Sequence, residues 1–189
     1  MQRILTSLLV AALVLAGSVV RADDYSDTVA MFKKAGESAN FFNASYGYAV
    51  FPTIGKGGLG IGAAHGDGRV YEKGKYVGDT SMTQVSFGFQ AGGQAYSQIV
   101  FFEDKRAFDE FTSGNFEFGA GVGAVAITAG ASASTGSTGS TAGASGGKND
   151  ASTAGKYHKG MAVFTVAKGG LMYEASVAGQ KFSYKALGK

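Results

Sequence analysis

The chain predicts an α+β fold, a predominantly antiparallel β-sheet curled toward a barrel, with an N-terminal helix and one short internal helix. Three observations carry this prediction. One phrase is used twice: Ala49, Val50, Phe51 lead into Lys56, Gly57, Gly58, Leu59, and Ala162, Val163, Phe164 lead into Lys168, Gly169, Gly170, Leu171. Each copy reads as a strand, a φ-permissive corner and a returning strand, so two related hairpins are expected to open and close one sheet. Between them Val85, Phe87 and Phe89 alternate with Gln84, Ser86, Gly88 and Gln90, which puts the apolar set on one face of a strand. Two stretches break this pattern with apolar residues at helical spacing.

The first residues read as an address. Met1, Gln2 and Arg3 form a basic start, Ile4 to Val20 is largely apolar, and Val20, Arg21, Ala22 suit a signal peptidase, so residues 1–22 are expected to be a signal peptide cleaved after Ala22. Thr6, Ser7, Gly17 and Ser18 make the same run a poor membrane-spanning helix. The 167 residues that follow, 23–189, suit a single domain. From Asp24 to Asn40, Tyr25, Val29, Phe32 and Ala39 form a stripe with Asp27, Lys33, Lys34 and Glu37 outside it, the pattern of an amphipathic helix.

Pro52, the single proline of the chain, suits a strand end, an edge or a bulge, and the first copy of the repeat is one residue longer there than the second. Gly66, Asp67, Gly68 and the Gly74 site between Lys73 and Lys75 read as tight turns. Tyr96 to Phe102 is the next strand. Asp104 caps a second helix reaching Ser113, with Ala107, Phe108 and Phe111 as its stripe and Gly114 beyond its end. Asn115 to Ala129 returns to strand. Residues 130–155 hold almost only Ala, Ser, Thr and Gly and are expected to be a flexible loop, and Tyr157 to Lys185 closes the sheet.

Charge and composition exclude several classes. The formal charge of +3 includes Arg3 and Arg21, so the exported chain carries +1, too little for a nucleic-acid-binding domain. With no cysteine there is neither a disulfide framework nor a lipid-anchoring thiol. The run from Gly55 to Gly62 lacks the Gly-Lys-Ser/Thr ending of a phosphate loop and is followed by no helix, so no nucleotide is expected. His65 and His158 are the only histidines, and neither a zinc site nor a catalytic triad assembles around them. The Gly-x-Ser-x-Gly match around Ser145 lies in the small-residue tract, away from any strand-to-helix turn. Glu103 with Asp104 and Asp109 with Glu110 fit the cap and outer surface of the second helix. No catalytic residue, cofactor or metal is expected, and the chain reads as a non-enzyme.

The motifs resemble those of the lipid-binding SYLF domain. Ala49 to Pro52 followed by Lys56, Gly57, Gly58, Gly60, Ile61, Gly62 looks like its first signature, and Gly88 to Gln94 resembles its glycine-glutamine strand. Phe102, Ala107, Phe108, Phe111, Ser113, Gly114, Phe118, Gly119, Ala120 resemble its helix and following strand, and Gly169, Gly170, Leu171, Glu174, Ala175, Gly179 its closing hairpin. Tyr76 to Ser81 departs from the family in lacking tryptophan and proline, and the Ser/Gly/Thr tract is longer and plainer. The resemblance implies a small domain without a catalytic role that associates with lipid. Eukaryotic relatives bind phosphoinositides and some engage actin, whereas bacterial relatives are exported. For an exported bacterial chain of periplasmic or envelope location, actin is unlikely and an anionic phospholipid or membrane surface is the expected partner. The residues themselves supply a basis for this: Phe32 beside Lys33 and Lys34 would enter the interfacial layer while the ammonium groups meet headgroups, each lysine contributing about 1 kcal/mol. Lys56 and Lys168, one at each repeated corner, complete the candidate lipid-binding set. The alternatives are an envelope component that binds protein and no lipid, and a membrane-spanning β-barrel, which the internal helix and the Gly188, Lys189 terminus disfavour.

Overall fold

The computed structural model describes residues 22–59, 61–87, 92–119, 122, 124–127, 156–168 and 177–188. Residues 1–21 of the leader expected over 1–22, the strand positions Gly88, Phe89 and Gln90, the second repeated corner at Gly169 to Leu171 and the tract over 130–155 lie outside them. Among the described residues eight strands form one sheet: β1 (Gly47–Leu59), β2 (Ile61–Glu72), β3 (Lys75–Phe87), β4 (Gly92–Phe102), β5 (Phe116–Glu117), β6 (Val125–Ile127), β7 (Met161–Lys168) and β8 (Lys181–Ala186). Their order is β5-β8-β3-β2-β1-β4-β7-β6, and every pairing is antiparallel except the parallel β6 on β7. The sheet is mostly antiparallel and curls into a half-barrel.

The curl follows from contacts between strands that are not neighbours. Gln98 on β4 donates through Nε2 to Gln180 Oε1 at 2.8 Å, just before β8. Along the sheet β4 and β8 lie four strand spacings apart, about 19 Å. Only a strongly curled sheet brings them together. Its concave side holds Phe51, Ile54, Met82, Val100, Phe102, Val163 and Phe182. The open end of this side is covered by Ala107, Phe108 and Phe111 of α4 (Lys105–Phe111). Asp104 caps α4 as expected, accepting from Ala107 N at 2.8 Å.

The convex side of β1, β4 and β7 carries Tyr48, Val50, Ile99, Phe101, Phe164 and Val166. Three short helices cover it, α1 (Ala22–Lys34), α2 (Gly36–Ala39) and α3 (Phe41–Ala44), where one longer helix was expected. The break falls at Ala35, whose extended backbone (φ −87°, ψ 104°) turns the chain so that Phe41 and Phe42 also reach the sheet. Arg69 of β2 fastens α1 from below, its guanidinium 4.2 Å from the Tyr25 ring and 4.7 Å from the Tyr76 ring.

Three local expectations are corrected. The first repeated corner is not a corner, because β1 continues through Lys56, Gly57 and Gly58, and the chain reverses between Leu59 and Ile61. Gly66, Asp67 and Gly68 are not a turn but the middle of β2. A Cβ at Gly68 would lie 2.6 Å from the Phe51 ring, and one at Gly66 2.7 Å from Ile54 Cγ1. These glycines make room for large concave side chains. The stretch Asn115 to Ala129 is not one strand but β5 and β6, on opposite edges of the sheet, with Phe118, Val122 and Ala124 packing on the concave core between them. The turn at Gly74 is present, with Lys73 at φ 47° and Gly74 at φ 80°, the left-handed pair of a two-residue hairpin. Pro52 sits at a bulge in a central strand: Phe51 pairs with Gln98 and Ile54 with Tyr96, three steps along β1 against two along β4.

Candidate functional site

The five residues expected to meet lipid do not form one site. Phe32 is fully buried under α1 in the convex core, with Val50, Phe101 and Phe164 in the same cluster, so the expectation that its ring enters an interface is corrected. The helical stripe serves the core. Lys33 and Lys34 are exposed at the end of α1, and the Lys33 ammonium lies 5.4 Å above the Phe42 ring.

Lys56 and Lys168 stand on opposite faces. Lys56 pairs with Ala64 and Gln94 in register with the concave residues, whereas Lys168 pairs with Ala95, whose partner on β1 is Gly55. Lys168 is exposed and donates through Nζ to Thr53 Oγ1 at 2.7 Å.

The register does assemble another group on the convex face. One row crosses the sheet from Lys181 on β8 through Thr83, His65, Gly55 and Ala95 to Lys168 on β7. The next row toward the hairpin ends is Val85, Ala63, Gly57 and Gly93, and Ile61 stands one row beyond. Ile61 and Val85 are each 62% exposed, the largest values among the exposed large apolar side chains of the described residues. Around them Ala63, Gly57 and Gly93 are also exposed. Sequence reasoning passed over this surface because β2 is apolar or small on both faces, Gly62, Ala64, Gly66 on one and Ile61, Ala63 on the other. Which face becomes the outside depends on the direction of curl.

Carboxylates are unevenly placed along the strands. Neither Gly47 to Gly66 nor Thr80 to Phe102 contains a carboxylate. Glu72, Glu103, Asp104, Asp109 and Glu110 gather instead at the opposite end, where the hairpin of β2 and β3 and helix α4 lie. There Lys105 and Arg106 pair with Asp109 and Glu110, the surface role expected of those carboxylates. On the convex row His65 lies 3.8 Å from Asp67 and Lys181 3.6 Å from Glu117, all four well exposed.

Polar side chains meet on the concave side. Gln98 and Gln180 exchange two amide hydrogen bonds, 2.8 and 3.1 Å, and Gln180 Nε2 also donates to Tyr96 Oη at 3.3 Å. Burial raises the Tyr96 phenol above its ordinary range, partly offset by that bond. Burial likewise pushes the Tyr48 and Tyr157 phenols on the convex side up to about 12. No group of three His, Cys, Asp or Glu is placed to hold a metal among the described residues, and none of their helices is long and apolar enough to cross a membrane.

Residues 83–186 match the family described as Ysc84, Las17-binding protein actin regulator. Over 156 residues the chain is 30% identical to Beta cell expansion factor A of Aeromonas veronii, a match covering 82% of this chain and 51% of that protein. The chain thus spans about half the length of that relative. On the family match, which covers more than half its length, the chain belongs to the Ysc84 (SYLF) family.

Proposed function

We propose that this chain is an exported, non-enzymatic protein that associates reversibly with anionic phospholipid at a membrane surface of the cell envelope. The observation that carries the reading is the hairpin end of β1 to β4, where Gly47 to Gly66 and Thr80 to Phe102 hold no carboxylate while Lys56 stands on β1 and Lys168 at the end of β7. Lysines on an edge without carboxylates approach an anionic surface without like-charge repulsion. Each lysine brought to the surface contributes about 1 kcal/mol, enough in sum for reversible attachment and short of anchoring. The family description names an actin regulator; export would separate this chain from actin, and lipid is the partner proposed.

Flotation of the purified protein with vesicles of phosphatidylcholine, with and without phosphatidylglycerol, tests the reading. Binding that requires the anionic lipid and weakens with added salt is expected. An equal lack of binding to both vesicles would sink it and favour an envelope component that binds protein. Changing Lys33 and Lys34 to Glu, set beside changing Lys168 and Lys181 to Glu, separates the end of α1 from the convex row.

A further inference from the structure

We propose that the hairpin edge built by Ile61, Ala63 and Val85 is the part of this protein that enters an anionic bilayer, tip first, with Lys168 and Lys181 left at the level of the headgroups. The proposal rests on the membrane-surface reading above and adds the inserting residues and the orientation.

Position along the strands is the first argument. The row holding Lys181, His65 and Lys168 precedes the Val85 and Ala63 row by two residues and Ile61 by four, about 7 and 14 Å along a strand. An edge that leads with apolar side chains and follows with ammonium groups matches the order of layers met on entering a bilayer, where an interfacial element sinks roughly 5 to 10 Å. The second argument is cost. Ile61 and Val85 remain 62% exposed in a fold that buries Phe51, Phe102 and Phe182, so their transfer from water is still available as a driving force. The segments forming this edge carry no carboxylate that would have to be desolvated or repelled. Lysine behind an edge without carboxylates commits the occupant to an anionic bilayer: Lys168 stands exposed in the row that follows Ala63 and Val85, in line with Lys181, which Glu117 partners. A sheet edge is also a firmer wedge than α1, whose apolar stripe is already spent on the convex core.

The chain has no cysteine, so single cysteines at Ile61, Val85 and Glu110 can each carry an environment-sensitive fluorophore. With phosphatidylglycerol vesicles, probes at 61 and 85 are expected to shift to the blue and gain intensity, and the probe at 110 to stay unchanged. Ile61→Asp and Val85→Asp are each expected to weaken vesicle binding about tenfold, with thermal unfolding unchanged because both positions face solvent. If wild-type protein floats on anionic vesicles while the probes at 61 and 85 do not respond, or while the double aspartate variant binds as wild type, this docking edge is wrong and the membrane-surface reading survives. If wild-type protein floats on neither vesicle, both fall together.

Discussion

Replacing Gln98 by Leu tests the device that closes the half-barrel. Gln98 and Gln180 are both fully buried, and their amides satisfy one another by two hydrogen bonds, with a third from Gln180 to Tyr96. Leu approximates the volume of Gln but removes both partners of the Gln180 amide on this side. Leaving a buried amide group unsatisfied costs about 1 to 3 kcal/mol, so each single Leu variant is expected to lose about 2 kcal/mol. The double variant Gln98→Leu with Gln180→Leu removes donor and acceptor together and is expected to recover most of that loss, leaving a coupling of at least about 1 kcal/mol. Urea unfolding of the four proteins, followed by circular dichroism, yields the cycle. Single variants costing under about 0.5 kcal/mol, or a double loss equal to the sum of the two, would refute the claim that this pair joins β4 to the start of β8 across the interior.

Gly68→Ala drives a Cβ to 2.6 Å from the Phe51 ring and is expected to cost about 1 to 3 kcal/mol in urea unfolding, whereas Gly57→Ala, with open space at its Cβ, is expected to be nearly silent. Lys159 holds φ 51° in the two-residue turn closed by His158 and Met161, so Lys159→Asn is expected to raise the thermal midpoint by the equivalent of about 0.5 kcal/mol; a lower midpoint would contradict the strain argument. The Tyr48 and Tyr157 phenols, ordinarily ionising near 10, are held to about 12 by burial. Between those values the unfolded chain releases protons that the folded chain keeps, so stability present below pH 10 is lost as pH rises, by at most about 1.4 kcal/mol per group for each unit. Tyrosinate absorbance should lag behind that of a peptide mixture and then rise together with loss of near-ultraviolet dichroism; simple titration of all nine tyrosines near their ordinary value would show that they are not buried.

Local chemistry was legible in the sequence where a signal had one meaning. The Asp104 cap, the Ala107, Phe108, Phe111 stripe and the Gly74 turn all form as read. Glycine misled where it had two. At Gly66 and Gly68 it answers the bulk of Ile54 and Phe51 on the neighbouring strand, a demand that exists only after β1 and β2 are paired. Phe32 misled for a related reason: an amphipathic stripe next to two lysines fits an interface and a sheet equally well, and the convex faces of β1, β4 and β7 supply the apolar surface that claims it. The exposed edge at Ile61 and Val85 was illegible because exposure there is decided by curl.

The repeated phrase acquires its meaning from one residue. β1 and β7 flank β4 on either side and run in the same direction, so Ala49 and Val163 share Val100 as partner, Val50 and Phe164 share Ile99, and the two copies lie side by side offset by one. A one-residue offset exchanges faces: Phe51 points to the concave core and Phe164 to the convex one. Four residues beyond Phe164, Lys168 keeps the convex face. Lys56 lies five beyond Phe51, and in an unbroken strand that odd number would carry it to the convex face as well. The bulge at Pro52 consumes one residue and returns Lys56 to the concave side, with Ile54 restored to the core on the way. The bulge therefore absorbs the extra residue of the first copy, and it is the one-residue offset between the copies that separates their lysines in space and leaves Lys168 to share the convex row with His65 and Lys181.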